Sequence, residues 1–344
     1  MNQTINFLSK LLSIPSPTGN TAEAIDFIKT EFNSLGLEST LNKKGALIAT
    51  IRGENDSEQI TFSAHVDTLG AMVKEIKSNG RLKLSLIGGY APNSIEGEEV
   101  IIQAFDGSEY TGTILYENPS VHVSGDEVYE KERTTDNLEI RLDERVSDEE
   151  SISKLGIEVG NYISFKPSVQ ISDSGFIKSR HLDDKAGIAA IYNMAKELLN
   201  RNVKPKNTVN FFISNYEEVG HGSSASIPEN TSVFIAIDMA AVGEGQKSDE
   251  FSTTICMKDS SGPYDYETSK KLIDLAKTNG INYKTDIYPH YGSDVSAALR
   301  AGYDFKFALI GPGVDASHST ERTHIDAIEN TVKLGLAYID NYEV

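Results

Sequence analysis

Two histidines and three acids, His65, Asp183, Glu218, Asp238 and His318, fall just past the ends of hydrophobic, strand-like runs. Two neutral imidazoles and three carboxylates form the N/O donor set that suits a pair of divalent ions such as Zn²⁺, with one carboxylate shared between them. The chemistry implied is two-metal hydrolysis. Glu217, beside a proposed ligand in Asn215-Tyr216-Glu217-Glu218-Val219-Gly220, adds a base for a water molecule at the metals. Taken singly, a histidine or aspartate at a strand end is more often a turn former, a cap or a surface residue. As a group of complementary types on one sheet edge, these acids would repel one another unless cations compensated.

Positions 65 and 318 are far apart in the chain, so a sheet has to gather them. Residues 46–51 and 59–64 read as strands around a Gly53-Glu54-Asn55-Asp56 turn, the second delivering His65-Val66-Asp67. Before them, residues 11–20 read as a proline-broken turn. Ile25, Ile28, Phe32 and Leu35 then recur at helical spacing behind an Asn20-Thr21-Ala22-Glu23 capping signal. After Asp184 a helix carries Ile188, Ile191, Ala195 and Leu198 on one face, followed by strands at 208–214, 232–237 and 305–310 and a helix near 267–279. Continuous apolar strands alternating with amphipathic helices predict an α/β fold, a mostly parallel mixed sheet flanked by helices. Ligands gather beyond the carboxyl ends of such strands. His318 is expected on a loop presented by Gly311-Pro312-Gly313.

A length of 344 residues exceeds what one hydrophobic core fills. From 71 to 175 the chain changes to short β-like runs and turn signals such as Gly88-Gly89 and Asp106-Gly107, which predicts a small all-β domain inserted between catalytic parts 1–70 and 176–344. Within it, 127–150 is rich in charge of both signs and reads as a solvated loop. Unpaired strand edges in such an insertion need covering, so it is expected to mediate contact between subunits.

The formal net charge of −19 disfavours nucleic acid and anionic membrane as partners. No run is long and apolar enough to span a membrane, and residues 1–10 lack a basic-then-apolar signal, so a cytoplasmic enzyme is expected. Cys256 stands alone, which rules out an intrachain disulfide, and it reads as a small core residue.

At these residues the chain resembles the M42 metallo-aminopeptidases, the glutamyl and tetrahedral aminopeptidase group of co-catalytic zinc exopeptidases. The resemblance is carried by Ser63-Ala64-His65-Val66-Asp67-Thr68-Leu69-Gly70, Leu182-Asp183-Asp184-Lys185-Ala186-Gly187, Glu217-Glu218-Val219-Gly220 and the His318 loop, with a β domain between the first two. It implies removal of N-terminal residues from peptides by two divalent ions per subunit, Zn first and Co or Mn after it. It also implies a homo-oligomer, a dimer or a larger closed assembly. Asp183 would bridge the ions, His65 and Asp238 completing one shell and Glu218 and His318 the other. Asp67 would orient His65 through its second ring nitrogen, and Glu217 would be the general base. Asp183-Asp184 is similar to a pair that the family joins by a cis peptide.

Two positions depart from the family pattern: Thr68 stands where an acid usually follows Asp67, and Glu321 comes one residue early after His318. They leave open a deacylase or amidohydrolase of N-acyl amino acids on the same site. A metal-free scaffold or binding protein is disfavoured by the complete donor set, and a carbohydrate hydrolase ranks last because the chain has no Trp. His181 and His221 read as supporting or surface residues beside the motifs, and His122 as structural. His324 competes with His318 as ligand, and the motif favours His318.

Overall fold

Phe211 and Ile213 enter one apolar core and Phe212 another, because successive residues of a strand face opposite ways. A computed structural model describes residues 3–201 and 203–343. They divide into a larger unit, formed by the chain up to Asp67 and again from Ser168, and a smaller unit, Thr68–Pro167.

In the larger unit the centre of a mixed sheet runs Leu47–Ile51, Asn207–Ser214, Asn55–His65, Thr231–Ile237 and Lys306–Asp315 in spatial order. The last four are mutually parallel, with Ser214 opposite His65 and Ile237 opposite Ile310. Their carboxyl ends therefore lie side by side. Leu47–Ile51 is antiparallel to Asn207–Ser214, and Thr253–Asp259 is antiparallel to Lys306–Asp315, which makes the sheet mixed. One face buries Phe62, Phe211 and Ile235 against Leu8, Ile188, Ile191 and Leu334 of the helices Gln3–Leu12, Leu182–Asn200 and Ile325–Asn341. The other buries Phe212, Phe234 and Ala236 with Val295 and Ala298 of the short helix Asp294–Arg300.

Some local expectations need correction. Asn55 and Asp56 belong to a strand rather than a turn. Gly311-Pro312-Gly313 lies inside the strand Lys306–Asp315, not on a loop. Glycine is required there by close approach: a Cβ on Gly311 would stand 1.6 Å from the carbonyl oxygen of Asp238. The helices Gln3–Leu12 and Ile325–Asn341 and the strand Thr253–Asp259 were not anticipated.

The smaller unit is a closed barrel of six strands, in the order Gly70–Ile76, Leu82–Ile87, Leu138–Leu142, Glu109–Tyr116, Glu99–Gln103 and Tyr162–Phe165. Its interior is mostly aliphatic, filled by Val73, Leu82, Leu84, Ile102, Ile114, Ile140 and Ile163 with Tyr116 and Phe165 among them. The unit ends at Pro167, because Gln170–Ile171 pairs with Phe176–Ser179 in the larger unit. The stretch 127–150 is not simply a solvated loop, since Leu138–Leu142 is a barrel strand with Leu138 and Ile140 buried. Closure pairs the strands around the ring, though Leu82–Ile87 meets Leu138–Leu142 through the single pair Leu82 and Ile140.

Candidate metal centre

Most of the proposed site residues arrive at or just past a sheet end. His65 is the last residue of its strand, Glu217 and Glu218 form a short turn of helix just past Ser214, and Asp238 follows Ile237 directly. Asp183 enters at the start of the helix Leu182–Asn200, and His318 follows the strand ending at Asp315. They converge. The Nε2 atom of His65 lies 3.0 Å from Asp183 Oδ1, 3.8 Å from Glu217 and 4.0 Å from Asp238. The Nε2 atom of His318 lies 3.3 Å from Asp183 Oδ2 and 3.6 Å from Glu218. Among the described residues two donor groups within metal-binding reach result, His65 with Asp183 and Glu218, and His65 with Glu217 and Asp238.

Backbone geometry around the site is unusual. His181, Tyr216 and His318 all adopt positive φ, rare for side-chain-bearing residues, and each precedes or supplies a proposed functional group. The Asp183-Asp184 bond is cis. Asp184 is fully buried, accepts from the His65 and Gly187 amides, and so ties the strand end to the first turn of the helix.

The donors fit a divalent cation. The Nδ1 atom of His65 is 2.9 Å from the carbonyl oxygen of Asp67, which can only accept, so Nδ1 carries hydrogen and, whenever the ring is neutral, Nε2 is the nitrogen left to offer a lone pair toward the acids. Burial pushes the Glu217 and Glu218 carboxyls well above their usual range, and burial plus the Asp183 charge lifts Asp238 to about 8. Burial works against charge on His65 as well, yet its bonds to Asp183 and Asp67 and the nearby Glu217 and Asp238 raise its pKa well above normal. A cluster that draws a proton onto a buried imidazole is short of positive charge, which a metal ion supplies.

A family model described as M42 glutamyl aminopeptidase matches residues 45–334. The chain belongs to the M42 glutamyl aminopeptidase family. It is 49% identical over 341 residues to the Bacillus subtilis protein YhfE, covering 99% of this chain and 98% of that one. Its fold is shared with an aminopeptidase from the archaeon Desulfurococcus kamchatkensis, at a TM-score of 0.88 and 22% identity over 99% of this chain and 95% of the other. The Pyrococcus horikoshii TET1 peptidase matches with a TM-score of 0.87 at 22% identity, over 99% of this chain and all of the other. As an M42 enzyme the chain is a hydrolase that removes N-terminal residues from peptides, and metal dependence goes with the family.

The M42 site also contains residues that the sequence alone did not single out for their contacts. Asp67 is buried, and its carboxylate lies 3.6 Å from His65 Nδ1, farther than its own carbonyl oxygen. That carboxylate instead accepts the amides of Glu217 and Glu218 and the Thr18 hydroxyl at 2.6 Å. Glu321, the acid one residue early, is buried and accepts the Asp183 amide on one oxygen and the His318 amide on the other, at 3.1 and 3.0 Å. Burial raises its pKa to about 8. Thr68 turns its hydroxyl to the carbonyl of Leu69. His324 bonds the carbonyl of Ser174 and caps the last helix, while His221 stacks on Tyr216; neither joins the cluster. His122 lies exposed in the smaller unit, and His181 is buried just before Leu182.

Proposed function

We propose that Asp183 is a carboxylate shared by two divalent ions, zinc in the first instance, with His65 and Asp238 completing one site and Glu218 and His318 the other. One observation carries this reading: the two oxygens of Asp183 are each faced by a different histidine nitrogen, 3.0 Å from His65 and 3.3 Å from His318. When bound, the ions polarise the scissile carbonyl and acidify water. Glu217 takes the proton of the attacking water and returns it to the nitrogen of the departing amine as the C–N bond breaks. Asp67 holds that base by its own amide and the next. Glu321 fixes the backbones of Asp183 and His318 relative to each other by accepting an amide from each.

The preferred substrates are peptides with a free N-terminus, and the enzyme works in the cytoplasm, in keeping with a lone, buried Cys256. Assembly into a homo-oligomer is supported by the Pyrococcus horikoshii TET1 peptidase, described as building a tetrahedron or an octahedral shell. Light scattering at micromolar concentration tests assembly. The activity reading is tested by stripping metal with a chelator, reloading with Zn²⁺, Co²⁺ or Mn²⁺, and assaying aminoacyl against N-acyl substrates. Recovery on aminoacyl substrates is expected. Recovery confined to N-acyl amino acids would make the enzyme a deacylase.

A further inference from the structure

The base and one ligand ride on a loop, residues 215–222, whose ends are Ser214 at the close of a strand and Ser223 beyond the turn. Both ends are fastened to one residue. Asp294 accepts the Ser214 hydroxyl on Oδ2 at 2.7 Å and the Ser223 amide on Oδ1 at 2.9 Å, and its carbonyl accepts the Ser223 hydroxyl. It is 2% exposed. Although Asp294 begins the helix Asp294–Arg300, where an acid would ordinarily serve its own first turn, these donors to its carboxylate come from the loop.

Gly222 closes the arrangement. A Cβ there would stand 2.2 Å from Asp294 Oδ1 and 3.2 Å from the Cα of Glu217, so the carboxylate and the base-bearing residue press on the glycine from two sides. Lys44 holds the same stretch through its carbonyls, donating to Gly222 at 2.7 Å and to His221.

We infer that Asp294 is a positioning residue: by joining Ser214 to Ser223 it sets where the loop places the Glu217 carboxylate. The inference rests on Glu217 as the base. An error of about 1 Å in a reacting group costs on the order of 100-fold in rate, so a residue remote from substrate acts through kcat.

The test uses full-length, metal-loaded protein and four variants. Asp294→Ala is expected to lower kcat about 100-fold with KM within about threefold of wild type. At saturating metal both sites should stay filled, although the loop also carries Glu218, and hydrogen exchange across 215–223 should be faster. Asp294→Asn keeps an acceptor for Ser223 and offers a donor to Ser214, so it is expected to recover kcat to within about tenfold of wild type. Ser214→Ala removes one fastening without touching the acid, and should slow turnover several-fold and loosen the same amides. Wild-type kcat or wild-type exchange in Asp294→Ala, or an Asn variant no better than the Ala variant, overturns the inference. If Asp294→Ala does not fold, an unaltered Ser214→Ala overturns it. Glu217→Gln runs alongside: an active Gln variant removes the base on which the inference stands, whereas an inactive one beside a fully active Asp294→Ala defeats the positioning role alone.

Discussion

The barrel unit buries one acid among its described residues, Glu139, and answers it with Lys77 at 2.6 Å and Arg81 at 3.8 Å. Among its described residues the larger unit buries Asp67, Asp183, Asp184, Asp238, Asp294 and Glu321 near the site, more acids than its two buried cations, Arg180 and Lys185, and Lys185 turns to the carbonyls of Leu11 and Ile14. An interior chosen for packing pairs or avoids charge, because a buried carboxylate without a partner costs several kcal/mol. An interior that keeps its carboxylates in excess is organised for a cation and for proton transfer.

This contrast can be broken by variants that should act on one unit only. Asp183→Ala, the most severe, is expected to lose metal from both sites together and to abolish activity, whereas His65→Ala mainly depletes one. Elemental analysis decides, and two metals retained per chain in Asp183→Ala would end the bridging assignment. Glu217→Gln should lower kcat 10²-fold or more while metal content and melting temperature hold or rise, since a buried acid has been neutralised. Near-normal turnover would sink that role.

In the barrel the expectation reverses. Ile140→Ala should cost about 2–5 kcal/mol in the unfolding of that unit, followed by denaturant titration, with metal content unaltered. Metal loss in this variant would show that the units are not independent in the way their interiors suggest. Least of all, Lys154→Ala breaks an exposed pair with Glu150 and should change neither melting temperature nor metal content within error.

Most of the proposed ligands were legible because they lie near where an apolar strand stops, and continuous apolar runs such as 208–214 announce their ends. The α/β character followed from the same runs. What holds the proposed ligands was not legible. Thr18 lies in a segment that reads only as a proline turn, and nothing local ties it to Asp67. Glu321 reads as a misplaced family acid until the Asp183 and His318 amides are seen on its two oxygens. The strand Leu138–Leu142 hid among charges, since alternation over five residues is easily masked by Glu139 and Arg141 on its other face. Edges, too, are invisible to composition: short β-like runs look alike whether they end in an open sheet or close into a ring.

Gly311 has no side chain, touches no proposed substrate and would be passed over in any inventory of functional groups. Yet the Asp238 carbonyl occupies the space its Cβ would need, so the smallest possible mutation there displaces the backbone of a proposed ligand. In a saturation screen scored on activity, position 311 should tolerate as few alleles as the proposed ligands themselves, and inheritance at this site would conserve an empty volume as strictly as a carboxylate.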